Sequence, residues 1–146
     1  KSDFMQSFNL NLVSAAETIK ALADNLKQNK GSIVLFSTVA VKQGFPNHAI
    51  VSSAKGAVEG LTLALAAEFA PNIRVNCIAP SLTKSKISEF LLKNEKMAES
   101  IAKVHPLKRI GEGTDSSSVA KFLLSGESSW ITGQIFGVDG GRSTVA

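Results

Sequence analysis

Phe8, Leu12, Ala15, Ile19, Leu22 and Leu26 recur at helical spacing, so residues 4 to 28 read as one amphipathic helix with Asp3 as its N-cap. Asn29-Lys30-Gly31 closes that helix, and Gly31 suits a left-handed cap. Ser32-Ile33-Val34-Leu35-Phe36-Ser37 is a short apolar run with β-branched members, which predicts a strand buried on both faces, as in a parallel sheet. Val39 to Asn47 contains Gly44 and Pro46 and reads as a loop. A second helix is predicted from His48 to Ala70, rich in Ala and Leu and punctuated by Gly56 and Gly60. A mid-helix glycine costs about 1 kcal/mol relative to alanine, so these two predict another backbone packed closely on that face. Pro71-Asn72 breaks the helix, and Ile73 to Ala79 forms the next strand, stopped by Pro80.

Beyond it, residues 86 to 103 predict a more polar helix or helix pair, followed by a loop at His105-Pro106. Asp115 is placed to cap a helix ending at Leu124. Trp130 to Gln134 leads into a last strand, Ile135 to Asp139, ended by Gly140-Gly141. Alternating helices and strands predict an α/β domain with a parallel sheet and right-handed crossovers.

Composition narrows the functional classes. With 146 residues, 44% hydrophobic and 19% charged, the chain is sized for one globular domain. Its net charge of +4 is mild and its sixteen Lys and Arg are dispersed, which argues against nucleic acid as a partner. No apolar run is expected to reach bilayer length, so no membrane partner is expected, and the N-terminus has no signal-peptide pattern. The single cysteine, Cys77, lies in a strand-like run and is expected to be a small buried side chain. A lone thiol without targeting signals points to the cytoplasm.

Six segments occur in a telling order: Phe8-Asn9-Leu10-Asn11-Leu12, Gly31 to Val39, Val51 to Gly60, Asn72 to Pro80, His105 to Gly111, and Ile131 to Gly141. Together they resemble the C-terminal half or more of a short-chain dehydrogenase/reductase. The resemblance implies a partial Rossmann-like, doubly wound parallel sheet with flanking helices. It also implies that residues 1 to 146 form a single domain, the C-terminal portion of that fold. The Gly-rich nucleotide-binding segment that opens the family is absent from these residues, which leaves the Ile33–Phe36 strand with an open edge.

The site follows from the same resemblance. Val51-x-x-x-Lys55 stands where the family reads Tyr-x-x-x-Lys, and the chain contains no tyrosine at all. Lys55 resembles the lysine that binds the nicotinamide ribose and lowers the tyrosine pKa; with Val51 in the tyrosine slot, only the ribose role remains. Thr38, thirteen positions before Val51, occupies the place of the family serine. Its hydroxyl is suited either to a substrate carbonyl or to local backbone. Ser37 is one residue off and should point elsewhere. Asn11 resembles the asparagine that holds a proton-relay water. Pro80, Ser81, Thr83 and Ser85 resemble the loop that holds the carboxamide and phosphate of the cofactor. His48 reads as a capping or surface histidine.

The resemblance therefore implies an NAD- or NADP-dependent oxidoreductase acting on a small carbonyl or alcohol, with catalysis impaired or lost and with either NAD(P) or no cofactor bound by this chain. The alternatives are a non-catalytic oligomerisation protein on the same fold, or a truncated piece of an active reductase. Helices 4–28 and 48–70 are the expected homo-oligomer faces. The segment Lys86–Lys108 is amphipathic, which fits a lid helix as well as an apolar substrate pocket.

Overall fold

A computed structural model describes residues 1–145. The long first helix forms, in three parts: α1 (Ser2–Phe8), a π-helical turn at Asn9–Val13, and α2 (Ser14–Gln28). Asp3 lies inside the first turn, with Lys1 at the cap position, so Asp3 complements the helix dipole rather than capping it. At the C-terminal end the left-handed residue is Lys30, with φ of 49°, and not Gly31. Gly31 is needed for closeness instead: its amide reaches Leu26 O at 2.8 Å, and a Cβ there would stand 2.7 Å from Leu26 Cδ2.

Strand β1 (Ser32–Phe36) and strand β2 (Arg74–Pro80) pair in parallel from Ser32↔Arg74 to Phe36↔Ile78. Strand β3 (Ile135–Val138) continues the sheet on the other side of β2, so the order is β1-β2-β3. β2 is buried through its centre. β1 is not buried on both faces as its run of apolar residues predicted: Ile33 is buried, but Phe36 is 44% exposed. Among the described residues β1 has a partner strand on one edge only.

Helices lie on both faces of the sheet. α4 (Ala49–Phe69) packs on β1 and β2, and also against α1 and the π turn. α7 (Gly113–Leu124) packs on the same two strands. Side-chain alternation divides the roles. Ile33 and Val75 join Ile19, Ala66, Phe69 and Ile73 in the main core, between the sheet, α2 and α4. On the opposite face Ser32 Oγ and Arg74 Nη1 both donate to the Leu123 carbonyl, at 2.8 and 2.9 Å. Buried Asn76 is held at both ends of its side chain: its amide nitrogen donates to Ile131 O and its side-chain oxygen accepts from Gln134 N, which leads the chain into β3.

Four further expectations are corrected. The segment after β1 contains a short helix, α3 (Ala40–Gln43), rather than plain loop. Gly56 and Gly60 do not mark a close backbone contact in this fold: a Cβ at Gly56 would meet Val41 at an ordinary 3.6 Å, and one at Gly60 would meet nothing within 4 Å. Glu112 is the N-cap of α7 and Asp115 sits at the third position, the two closing a reciprocal capping box. α4, 21 residues with mean hydropathy 1.3, does reach bilayer length and apolarity. Its sequence carries that character because Ala54, Val58, Thr62, Ala66 and Phe69 face the protein interior while its remaining faces are rich in Ala and Leu. The polar segment after β2 resolves into α5 (Glu89–Leu92) and α6 (Glu95–Lys103), the latter capped by the Asn94 side chain.

Candidate active site

The pairing of β1 and β2 continues past the last residue of β1. Ser37 N donates to Ile78 O at 2.7 Å and Val39 N to Pro80 O at 3.0 Å, which brings Thr38 alongside the end of β2. Beyond these strand ends opens a crevice of about 600 Å³. Thr38, Pro80, Ser81, Thr83 and Ser85 all contribute to its walls, with Ile87, Leu91, Ile101 and Val104 forming an apolar side. A crevice beyond the carboxyl ends of parallel strands is the usual ligand position in open α/β sheets.

The hydroxyls here are already engaged with the protein. Thr38 Oγ1 accepts from Ala40 N at 3.3 Å, so it takes the local backbone contact while lining the crevice. Thr83 Oγ1 donates to Ser81 O at 3.0 Å. Ser85 Oγ pairs with Ser88 Oγ at 3.1 Å, and Ser88 in turn donates to Thr83 O at 2.7 Å. The loop is thus braced by its own side chains. Ser81 Oγ meets His105 Nε2 at 2.8 Å.

Lys55, Val51 and Asn11 stand outside the crevice walls. Lys55 reaches along the sheet from α4, and its Nζ donates to the Phe36 carbonyl at 2.9 Å, two residues before Thr38. Burial pushes the Lys55 ammonium below its ordinary value, offset in part by the Cys77 sulfur. Val51 is 36% exposed, on the first turn of α4. Asn11 falls within the π turn, where its amide donates to Ser7 O at 2.9 Å; that turn packs on α4. His48 precedes α4 without a side-chain cap; its Nδ1 meets Pro46 O at 2.8 Å and its ring lies beside Phe45.

Two groups went unnoticed in the sequence. Ser37, as alternation required, turns away from Thr38: its buried hydroxyl donates to Glu59 Oε1 at 2.5 Å. Glu59 was findable, since it lies one helical turn after Lys55 and shares its face. Cys77 lies near both, fully buried, and its thiol is pushed up to about 11 by burial, with the Glu59 charge adding to it and Thr62, Ser37 and Lys55 opposing. The second group is His105, 3% exposed, with Asp139 near it. Burial alone would raise the Asp139 carboxyl. Hydrogen bonds from Ser143 and Gly141, helped by His105, outweigh this and hold it below its ordinary value.

A three-stranded parallel sheet, helices on both faces and a crevice at the strand ends define a Rossmann-like α/β protein. The family model described as enoyl-(acyl carrier protein) reductase matches residues 1–143, and the chain belongs to the short-chain dehydrogenase/reductase family of oxidoreductases. It is 43% identical over 120 residues to the tropinone reductase homolog At2g29260, chloroplastic, of Arabidopsis thaliana, covering 81% of this chain and 37% of that protein. It is 36% identical over 138 residues to human dehydrogenase/reductase SDR family member 4, covering 93% of this chain and 50% of the relative. The chain therefore spans half or less of these relatives' length. A gluconate 5-dehydrogenase from Burkholderia cenocepacia, solved with NADP and tartrate, superposes with a TM-score of 0.93 at 25% identity, covering 100% of this chain and 58% of that one. ElxO with NADP bound superposes with a TM-score of 0.90 at 29% identity, covering 97% and 58%.

Proposed function

We propose that residues 1 to 146 act as the C-terminal domain portion of an NAD- or NADP-dependent oxidoreductase for a small carbonyl or alcohol, with catalysis impaired by Val51. The observation that carries this reading is the meeting of Thr38 with Pro80, Ser81, Thr83 and Ser85 around one crevice. Its volume lies within the range of small-molecule sites. The donor set fits a nicotinamide nucleotide: hydroxyls on a braced loop, and one ammonium, Lys55, held at the adjoining strand end. Such a cofactor supplies a hydride when bound.

In this reading Thr38 directs its hydroxyl proton to the substrate oxygen while its oxygen still accepts from Ala40 N. Lys55 holds ribose hydroxyls by leaving the Phe36 carbonyl. Asn11, packed near α4, steadies a water on the proton path. Pro80, Ser81, Thr83 and Ser85 shape the loop around the cofactor, and the apolar wall of Ile87, Leu91 and Val104 excludes water. Val51 offers no proton, and loss of a positioned general acid costs a factor of about 10²–10⁴. The solved NADP complexes of two family members support the cofactor class. A lone buried thiol suits a reducing compartment such as the cytoplasm.

The test combines nicotinamide fluorescence titration with ketone reduction, comparing the chain with Val51→Tyr. The variant should reduce ketones at least about 10²-fold faster. Equal rates, or brisk turnover by the unaltered chain, would overturn the impairment.

A second reading has its own observation. Leu10, Val13 and Leu22 on the first helix and Leu63 on α4 are 45–73% exposed, which favours a homo-oligomerisation role for these two helices. Dimerisation in sedimentation equilibrium, together with no nicotinamide affinity, would favour it over the first.

A further inference from the structure

Ser81 and His105 form a pair whose chemistry the oxidoreductase reading leaves unused. His105 Nδ1 lies 2.7 Å from the Ile101 carbonyl. A carbonyl only accepts, so Nδ1 carries the hydrogen. In the neutral imidazole Nε2 is then an acceptor, and it faces Ser81 Oγ at 2.8 Å. This is the arrangement of an activated nucleophile: hydroxyl on base, base oriented by a third group. The surroundings support it. His105 is almost fully buried, and Gly140 lies against its ring, with a Cβ there 3.7 Å from Cδ2. Asp139, its carboxylate fixed by Gly141 N and Ser143 N at 2.9 Å each, places negative charge near the imidazole. Ser81 N donates to Val138 O at 3.3 Å, which anchors the hydroxyl-bearing residue at the sheet edge. Ser81 and His105 line both the crevice of about 600 Å³ and a neighbouring one of about 400 Å³, so an acyl and a leaving group have separate room.

We propose that Ser81 and His105 are the nucleophile and base of an acyl-transfer site, taking small esters whose apolar acyl group packs on Ile87, Leu91 and Val104. Ser81 Oγ bonds to the ester carbonyl carbon as its proton passes to His105 Nε2. The carbon–oxygen bond to the leaving group breaks, and the departing alcohol takes that proton. Water then bonds to the acyl carbon, giving a proton to Nε2; the Ser81 ester bond breaks, the carboxylic acid leaves, and the proton returns to Oγ. No nicotinamide nucleotide takes part, so this activity stands or falls separately from hydride transfer.

The experiment is reaction of the chain with a fluorophosphonate, followed by intact mass and peptide mapping, alongside p-nitrophenyl butyrate hydrolysis. One adduct on Ser81 is expected, absent from Ser81→Ala and from the urea-unfolded chain. Labelling and hydrolysis should fall at least about 10²-fold in His105→Gln. Ser117→Ala, on the exposed side of α7, should label like the parent. No adduct, an adduct elsewhere, equal labelling of the unfolded chain, or undiminished labelling of a folded His105→Gln would each overturn the proposal and leave the pair a staple of the loop.

Discussion

Lys55 Nζ donates to the Phe36 carbonyl at 2.9 Å, which ties the fourth helix to the exposed end of the first strand. The tie has a cost, because burial holds the ammonium below its ordinary value of 10.5. A lysine depressed in the folded state adds stability above the unfolded pKa, and that contribution is lost as pH falls through the folded value. Charged Lys55 is therefore a burden at neutral pH. Lys55→Met should match or exceed the parent in melting temperature at pH 7, and the parent should gain on the variant as pH approaches 10.5. A variant that gains on the parent as pH rises toward 10.5 would contradict this.

Ser37 and Glu59 link the same two elements from the interior. Ser37→Ala removes the donor and leaves a half-buried carboxylate short of a partner, at a cost of about 1–3 kcal/mol. Urea unfolding of the two proteins measures it, and a difference near zero would show that water replaces the hydroxyl.

Asp115 accepts from Arg109 at 2.6 and 2.8 Å and from Glu112 N at 2.7 Å. The guanidinium first, then the amide, lowers its pKa to about 2. A depressed carboxyl contributes stability above its ordinary value of 3.8 and loses it as pH falls through about 2. Asp115→Asn should thus be less stable than the parent at pH 6, with the gap closing by pH 2 in circular dichroism melts.

Cys77 should be inert. With its thiol pushed up to about 11 and no exposed surface, it should not react with Ellman's reagent at pH 8 until the chain unfolds. Rapid stoichiometric reaction of the native protein would refute the burial.

The elements were legible wherever one period dominated. The 3.6-residue spacing of Phe8 to Leu26 found the first helix, and the β-branched runs found all three strands. Local signals that depend on a partner were not legible. Gly31 was read for its φ but serves to admit Leu26, and Asp115 looked like a cap because Glu112, three residues before it, is a less usual one. Of the candidate residues that motif spacing suggested, Thr38 and the Pro80–Ser85 loop line one crevice, whereas Asn11 and Lys55 are not among its walls. The meeting of Ser81 with His105 joins residues twenty-four positions apart, and no spacing rule announces it.

The π turn at Asn9–Val13 carries a consequence for engineering. Such a turn accommodates one surplus residue, and each residue of an α-helix advances about 100° around the axis. Deleting a single position there would give an unbroken α-helix and swing Phe4 and Phe8 round relative to Ile19. The two halves of that rod are thus phased independently, and a transplant of either half into another scaffold must bring the wide turn along or reset its own angular zero.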